Sequence, residues 1–111
     1  MRSLPCLRTK RLLPMPIAYI SLELRIEGSQ SLKDRRQVVR SLKDRLRNSF
    51  NVSVAEMDPS ELWQAATLGL VAISPSRHYL EGMMEQVEAA ATRIANQLGA
   101  EVTDCFVDFL D

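Results

Sequence analysis

Aromatic residues, cysteine and histidine are scarce in this chain of 111 residues, and their scarcity excludes several kinds of site. Aromatic side chains make up 5% of the sequence, which argues against the stacking platforms that bind unpaired bases. The two cysteines, Cys6 and Cys105, lie far apart and form no Cys-x-x-Cys motif, so we predict neither a zinc site nor a disulfide framework. The single histidine, His78, forms no constellation with a nucleophile, and we interpret it as a structural residue. We therefore expect no metal, no cofactor and no enzyme.

Long apolar runs and glycine-rich phosphate loops are also missing. No apolar run approaches the roughly 18 residues of a membrane span. The basic start of the chain is interrupted by proline and charge, which argues against a targeting segment. The four glycines stand singly. We expect a cytoplasmic protein with no membrane partner.

Charge is balanced in total but divided along the chain. Residues 1–47 contain twelve Lys and Arg against four Asp and Glu, a net charge of +8, whereas residues 48–111 contain two against ten, a net charge of −8. We expect residues 15–111 to form a single domain. Residues 1–14 would then be a basic extension, either a disordered arm or sequence upstream of a true start at Met15. Its cations are Arg2, Arg8, Lys10 and Arg11.

The periodicity of apolar residues predicts six elements in the order β-α-β-β-α-β. They are a strand over 17–26, a helix over 32–49, a strand over 50–57, a strand within 62–73 that is apolar and buried on both sides, a helix that begins at Ser74 and Pro75 and ends at Gly99, and a strand over 101–110. This order predicts the ferredoxin-like α+β sandwich, in which a four-stranded antiparallel sheet carries two helices on one face.

The first predicted helix contains the letters SLKDR twice, at 31–35 and 41–45. Ten residues turn a helix through about 1000°, so the two copies point about 80° apart and are not equivalent sites. The first copy begins the helix, with Ser31 as its cap and Asp34 in the first turn. The second copy lies in the interior of the helix.

A row of five cations on the same helix is the strongest candidate site. Their spacings of three and four residues place them on one exposed stripe about 20 Å long. We call this stripe the basic ridge; its members are Lys33, Arg36, Arg40, Lys43 and Arg47. The ridge suits the phosphate backbone of nucleic acid. The alternative is a solvated face whose charges pair with a neighbouring chain or with acids of the second helix, namely Glu81, Glu85 and Glu88.

The other candidate residues give weaker indications of a functional site. Glu56 and Asp58 are two carboxylates at a strand end, a pattern compatible with a metal or with acid–base chemistry but more often found in turns. Trp63 is interpreted as a packing residue, and Met83 and Met84 as helix core.

Large apolar side chains exceed what two helices on one face can cover, which predicts self-association as a homodimer. The residues in question are Ile17, Tyr19, Trp63, Phe106 and Leu110.

The stretch LELRIEGSQSLKDRRQVVRSLKDRLRNSFNVSVAEMD, followed by LWQAATLGLVAIS, resembles the YlxP-like family of small bacterial proteins. The resemblance covers about residues 15–110 and leaves out the basic extension. It implies a ferredoxin-like fold, often dimeric, in proteins whose genes lie beside those of translation and ribosome-maturation factors. It implies no activity and no catalytic residue.

Two functions remain open at this stage. One is an accessory factor linked to the ribosome or its RNA, which contacts phosphates through the basic ridge without reading nucleotide sequence. The other is a homodimeric protein-interaction or small-ligand regulatory module with no nucleic-acid role. No DNA sequence readout is expected.

Overall fold

A computed structural model describes residues 15–26, 31–57 and 64–110, and they form the six predicted elements. The elements are β1 (Ile17–Ile26), α1 (Leu32–Ser49), β2 (Ser53–Met57), β3 (Ala65–Ile73), α2 (Arg77–Gln97) and β4 (Ala100–Leu110). All strand pairs are antiparallel, in the order β2-β3-β1-β4. This is the ferredoxin-like α+β arrangement, so the predicted fold class is confirmed. The predicted basic extension, Cys6, Asp58 and Trp63 lie outside the described residues.

One face of the sheet packs against both helices. Alternate residues of β1 are buried to 3% exposure or less, and they share one core with buried residues of both helices. α2 packs on β1 and β4, whereas α1 packs on β2 and against α2. Burying one Leu or Ile side chain contributes roughly 1.5–3 kcal/mol. Because successive side chains of a strand point to opposite faces, a shift of register by one residue would expose the whole buried row. Neither helix in the described part of the chain is long and apolar enough to cross a membrane.

The two helices begin at serine caps, but the second cap differs from the predicted one. In α1 the Ser31 hydroxyl accepts a hydrogen bond from the Asp34 N–H at 3.1 Å, as predicted. In α2 the cap is Ser76, whose hydroxyl accepts from the Tyr79 N–H at 3.0 Å. The predicted cap, Ser74, lies one residue beyond β3, and its N–H donates to the Pro16 carbonyl at 3.3 Å. At the other end of α2, Gly99 has φ of +82°, the left-handed conformation that ends helices.

The main differences from the predicted strands are in β2 and β3, whereas β4 begins only one residue earlier than predicted, at Ala100. β2 begins at Ser53 rather than at Phe50, because the Phe50 N–H donates to the Leu46 carbonyl and ends α1. β3 was expected to be buried on both sides, yet Val71 and Ile73 are 42% and 54% exposed. The cause is that both helices cover the same face of the sheet.

Candidate functional site

The basic ridge lies on an exposed flank of α1. The centre of the ridge is roughly 110° around the helix from the buried stripe that contains Val39 and Leu46. Four of its five members are exposed, and Lys43 is half-buried. The spacing in the sequence therefore predicted the position of these side chains on the helix correctly.

The ridge occupies the flank of α1 that is turned away from α2. On the opposite flank, Arg45 reaches α2 and donates from Nη2 to the Gln97 side-chain oxygen at 2.7 Å. Of the acids of α2, Glu81 accepts from Arg77 of its own helix at 3.3 Å, and Glu88 lies beside Cys105 of β4. Among the described residues, no ion pair joins the ridge to α2. The predicted pairing of the ridge with these acids is therefore not seen within the described chain.

An open groove of about 370 Å³ runs along the ridge between α1 and β2. We call it the basic groove. Its lining residues are Arg36, Val39, Arg40, Lys43, Asp44, Arg47 and Glu56. Glu56 is the only one of them that comes from the sheet, so the groove exists only because β2 lies beside this flank of α1.

A buried ion pair underlies the groove. Arg35 is 4% exposed and donates from Nη2 to the Glu56 carboxylate. Its Nε also donates to the Ala65 carbonyl at 2.9 Å, so the guanidinium bridges α1, β2 and β3. Sequence reasoning did not single out Arg35 and left Glu56 as a turn residue or a metal ligand. The signal that sequence reasoning missed was the spacing of Arg35, which lies four residues before the buried Val39 and therefore on the same stripe of α1.

Two carboxylates and four cations line the groove, and one of these cations, Arg47, is paired with an acid. Asp44 accepts from Arg47 at 2.7 Å, which reduces the charge that Arg47 offers to a ligand. No described acid pairs with the other members of the ridge, which are Lys33, Arg36, Arg40 and Lys43. These four cations remain available for an anion from outside the described chain.

The remaining candidates within the described residues are His78, Met83 and Met84. The His78 side chain is 99% exposed, and its Nδ1 lies 4.0 Å from a Glu81 oxygen. In the part of the chain that the structure describes, no three His, Cys, Asp or Glu residues are grouped to hold a metal. Met83 and Met84 are buried in the helix core, as predicted.

Cys105 is half-buried on β4 beside Glu88 of α2. Burial, followed by the charge of Glu88 and a hydrogen bond to it, raises the pKa of the Cys105 thiol to about 11. The thiol therefore stays protonated at neutral pH, where a nucleophile needs the thiolate.

The side of the sheet that the helices leave bare carries a cluster of large apolar residues. We call it the open sheet face; its members are Ile17, Tyr19, Val71, Ile73, Phe106 and Leu110. The strand register places Ile17 opposite both Ile73 and Leu110, and Tyr19 opposite Val71. Phe106 and Leu110 are 58% and 60% exposed. The prediction that large apolar groups remain uncovered is confirmed for these two residues.

Comparison with known proteins adds a family and a fold. A family model described as "Protein of unknown function (DUF503)" matches residues 17–106. The uncharacterized protein YlxP of Bacillus subtilis (strain 168) is 34% identical over 73 residues, which are 66% of this chain and 79% of that protein.

Two solved structures have similar folds at low sequence identity. The de novo designed protein Foldit4 is 9% identical with a TM-score of 0.54, covering 88% of this chain and 98% of that one. A C-terminal segment of the alpha subunit of aIF2 from Pyrococcus abyssi is 13% identical with a TM-score of 0.50, covering 88% of this chain and 52% of that one. At such identities the similarity concerns the fold alone.

Proposed function

We propose that this chain, a member of the DUF503 family of proteins of unknown function, is an RNA-linked accessory factor. In this proposal its basic ridge binds the phosphate backbone. The observation that carries this proposal is the row of four cations without acid partners in the described chain, which are Lys33, Arg36, Arg40 and Lys43. They follow one another on a single helix over about 15 Å. Such a row suits successive phosphates of one strand, and neutralising those phosphates releases their counterions.

The expected binding does not depend on base sequence. Lys and Arg contacts to phosphate fix the position of a nucleic acid and carry no sequence information directly. Aromatic side chains, which would stack on bases, make up only 5% of the chain. RNA of the ribosome is the ligand that we expect.

Reversing the charge of the ridge tests this proposal. We expect R36E/R40E/K43E to abolish RNA binding without unfolding the chain, because the side chains of Arg36, Arg40 and Lys43 lie away from the core and exposed substitutions change stability by about 0.5 kcal/mol or less. For the wild type, filter binding to ribosomal RNA fragments between about 50 and 300 mM salt should give a log–log slope near −3, since each neutralised phosphate contributes about −0.7.

The basic extension requires its own control. A variant of the full chain with glutamine at its four cations, R2Q/R8Q/K10Q/R11Q, should retain the binding if the ridge is responsible. Loss of binding in this variant, together with unchanged binding by the ridge variant, would contradict the proposal. Absence of measurable RNA binding by the wild type at low salt would contradict it as well.

The open sheet face supports a second candidate function. Four of its residues are more than two-fifths exposed and lie on β3 and β4, the two strands that flank β1, namely Val71, Ile73, Phe106 and Leu110. Contiguous apolar surface of this kind commonly meets a partner. The second candidate is a homodimeric protein-interaction or small-ligand regulatory module without a nucleic-acid role. In that case wild-type RNA binding should be absent, and the ridge variant should affect only association with protein.

A further inference from the structure

We propose that Glu56 makes the basic groove selective for RNA over DNA, by accepting a hydrogen bond from a ribose 2′-hydroxyl beside a bound phosphate. This inference rests on the proposed function, because it concerns the ligand of the same groove. In this proposal Glu56 discriminates between RNA and DNA, which the phosphate-binding cations cannot do.

Glu56 is the carboxylate that the fold holds in a fixed place at this groove. Its side chain is 20% exposed, so it is accessible from the groove that it lines. The buried guanidinium of Arg35 holds one of its oxygens, and Arg35 is itself fixed by the Ala65 carbonyl. A carboxylate offers roughly four acceptor sites, so this bond leaves Glu56 with capacity to accept another. A preorganised acceptor costs less to engage than a mobile one.

The mixture of charges in the groove determines which ligand group can approach Glu56. Arg36, Arg40 and Lys43 are donors only, and they attract phosphate. Glu56 repels phosphate but accepts from an uncharged donor that lies next to one. The ribose 2′-hydroxyl is such a donor in every nucleotide of RNA, and DNA lacks it. An amino group of a base is the other source of an uncharged donor, so the experiment must separate the two.

The test compares the full-length protein on three oligomers of the same base. Uridine, 2′-deoxyuridine and 2′-O-methyluridine oligomers of about twelve nucleotides match the usual length of a single-strand site. We expect the uridine oligomer to bind roughly tenfold more tightly than the other two, the ratio given by one hydrogen bond to a charged acceptor. The 2′-O-methyl oligomer keeps the ribose but lacks the donor, so it should bind like the deoxy oligomer.

Two variants test whether the preference for RNA over DNA depends on Glu56 in a protein that remains folded. R35M/E56L replaces the buried ion pair by apolar side chains, a change that proteins often tolerate. We expect this variant to bind all three oligomers with a ratio near one, and circular dichroism checks that it is folded. The matched control is E85Q, which removes an exposed carboxylate of α2 that does not line the groove; its RNA-to-DNA ratio should equal that of the wild type.

Each other outcome contradicts the inference. If the wild type binds the three oligomers equally, and with steep salt dependence, Glu56 has no selective role while the proposed function stands. If cytidine oligomers bind more tightly than uridine oligomers, and deoxy forms bind as well as ribo forms, the donor is a base amino group. If no oligomer binds at low salt, the proposed function fails and this inference fails with it.

Discussion

Arg35 lies on the buried stripe of α1, and its ion pair with Glu56 changes the interpretation of the basic groove. The guanidinium is buried in α1, and its charge is balanced by Glu56 on β2. Removing one partner of a buried ion pair leaves the other without compensation, whereas replacing both by apolar groups is often neutral. The pair therefore fixes α1 against the sheet and sets the position of the groove.

The first residue-scale prediction concerns the stability of this pair. We expect E56A to lower the free energy of unfolding by about 3 kcal/mol, because it leaves the buried Arg35 charge unpaired, and R35M/E56L to lower it by much less. D44A is the matched control, since it breaks an exposed pair that contributes about 1 kcal/mol or less. Urea unfolding followed by circular dichroism measures all three. Equal losses for E56A and D44A would show that the Arg35–Glu56 pair stabilises the fold no more than an exposed ion pair does, which would contradict the prediction.

The second residue-scale prediction concerns Cys105. Because burial and Glu88 raise its pKa to about 11, the folded protein should react slowly with iodoacetamide at pH 8 and faster only as the pH approaches 11. The unfolded thiol has the lower pKa, so this group stabilises the fold below about pH 9 and ceases to do so as the pH rises through 11. A C6S background isolates Cys105, and protein in guanidinium is the fast-reacting control. Equal rates in the folded and unfolded protein would contradict the prediction.

At the scale of elements, the sequence predicted β1 and α1 to the residue, because each has a clear period and a clear end. Ser31 was identifiable as a cap because it directly precedes the first apolar residue of the helix and is followed three residues later by Asp34. Between Ser74 and Ser76 the choice depended on a hydrogen bond to Pro16, which is remote in sequence.

The groove was less predictable than the ridge. The ridge follows from helical spacing alone. Which flank of α1 lies beside β2, and hence that Glu56 lines the groove, depends on how the two helices pack on the sheet.

The edge strand β4 carries the element-scale prediction. It has eleven residues and pairs only with β1 among the described strands. Asp104 accepts a hydrogen bond from the Cys105 N–H, and Asp108 from the Phe109 N–H, both at 2.9 Å. These carboxylates occupy backbone donors and add charge to an edge that would otherwise be a template for another strand.

We therefore expect D104V/D108V to associate through β4, giving larger species in sedimentation velocity and binding of thioflavin T. D104N/D108N is the matched control, because it removes both charges and keeps at each position an oxygen acceptor, which valine lacks. Wild-type behaviour of the valine variant would show that the two aspartates do not protect the edge. Association of the asparagine variant as well would assign the protection to charge rather than to the hydrogen bonds.

At the scale of the whole molecule, the basic groove and the apolar cluster of the open sheet face lie in different places. The basic groove is on the flank of α1 beside β2, whereas the open sheet face is on the side that the helices leave bare. A homodimer through that face would leave both grooves accessible. The two proposed functions therefore do not compete for the same surface, and a dimer could carry two phosphate-binding grooves.

The open sheet face would form the apolar centre of a dimer interface. Its members lie on three neighbouring strands, β3, β1 and β4, which are about 4.8 Å apart. Specific interfaces bury roughly 800 Å² per partner, so a dimer would also cover polar residues around this cluster, among them Asp108, which lies opposite Tyr19. The protected edge of β4 also favours contact through the face over extension of the sheet.

The whole-molecule prediction is that the wild type sediments at micromolar concentration with about twice the mass of one 12.5 kDa chain. F106E should shift it to the monomer, because a charge at this exposed position would be buried without a partner in the dimer. Tyr79 provides the matched control: it is 62% exposed on α2, so Y79E adds the same charge to an exposed aromatic position away from the open sheet face and should leave the dimer intact. A wild type that sediments as a monomer and does not bind an apolar dye would contradict the prediction, because the open sheet face would then be neither covered by a second copy nor accessible as apolar surface.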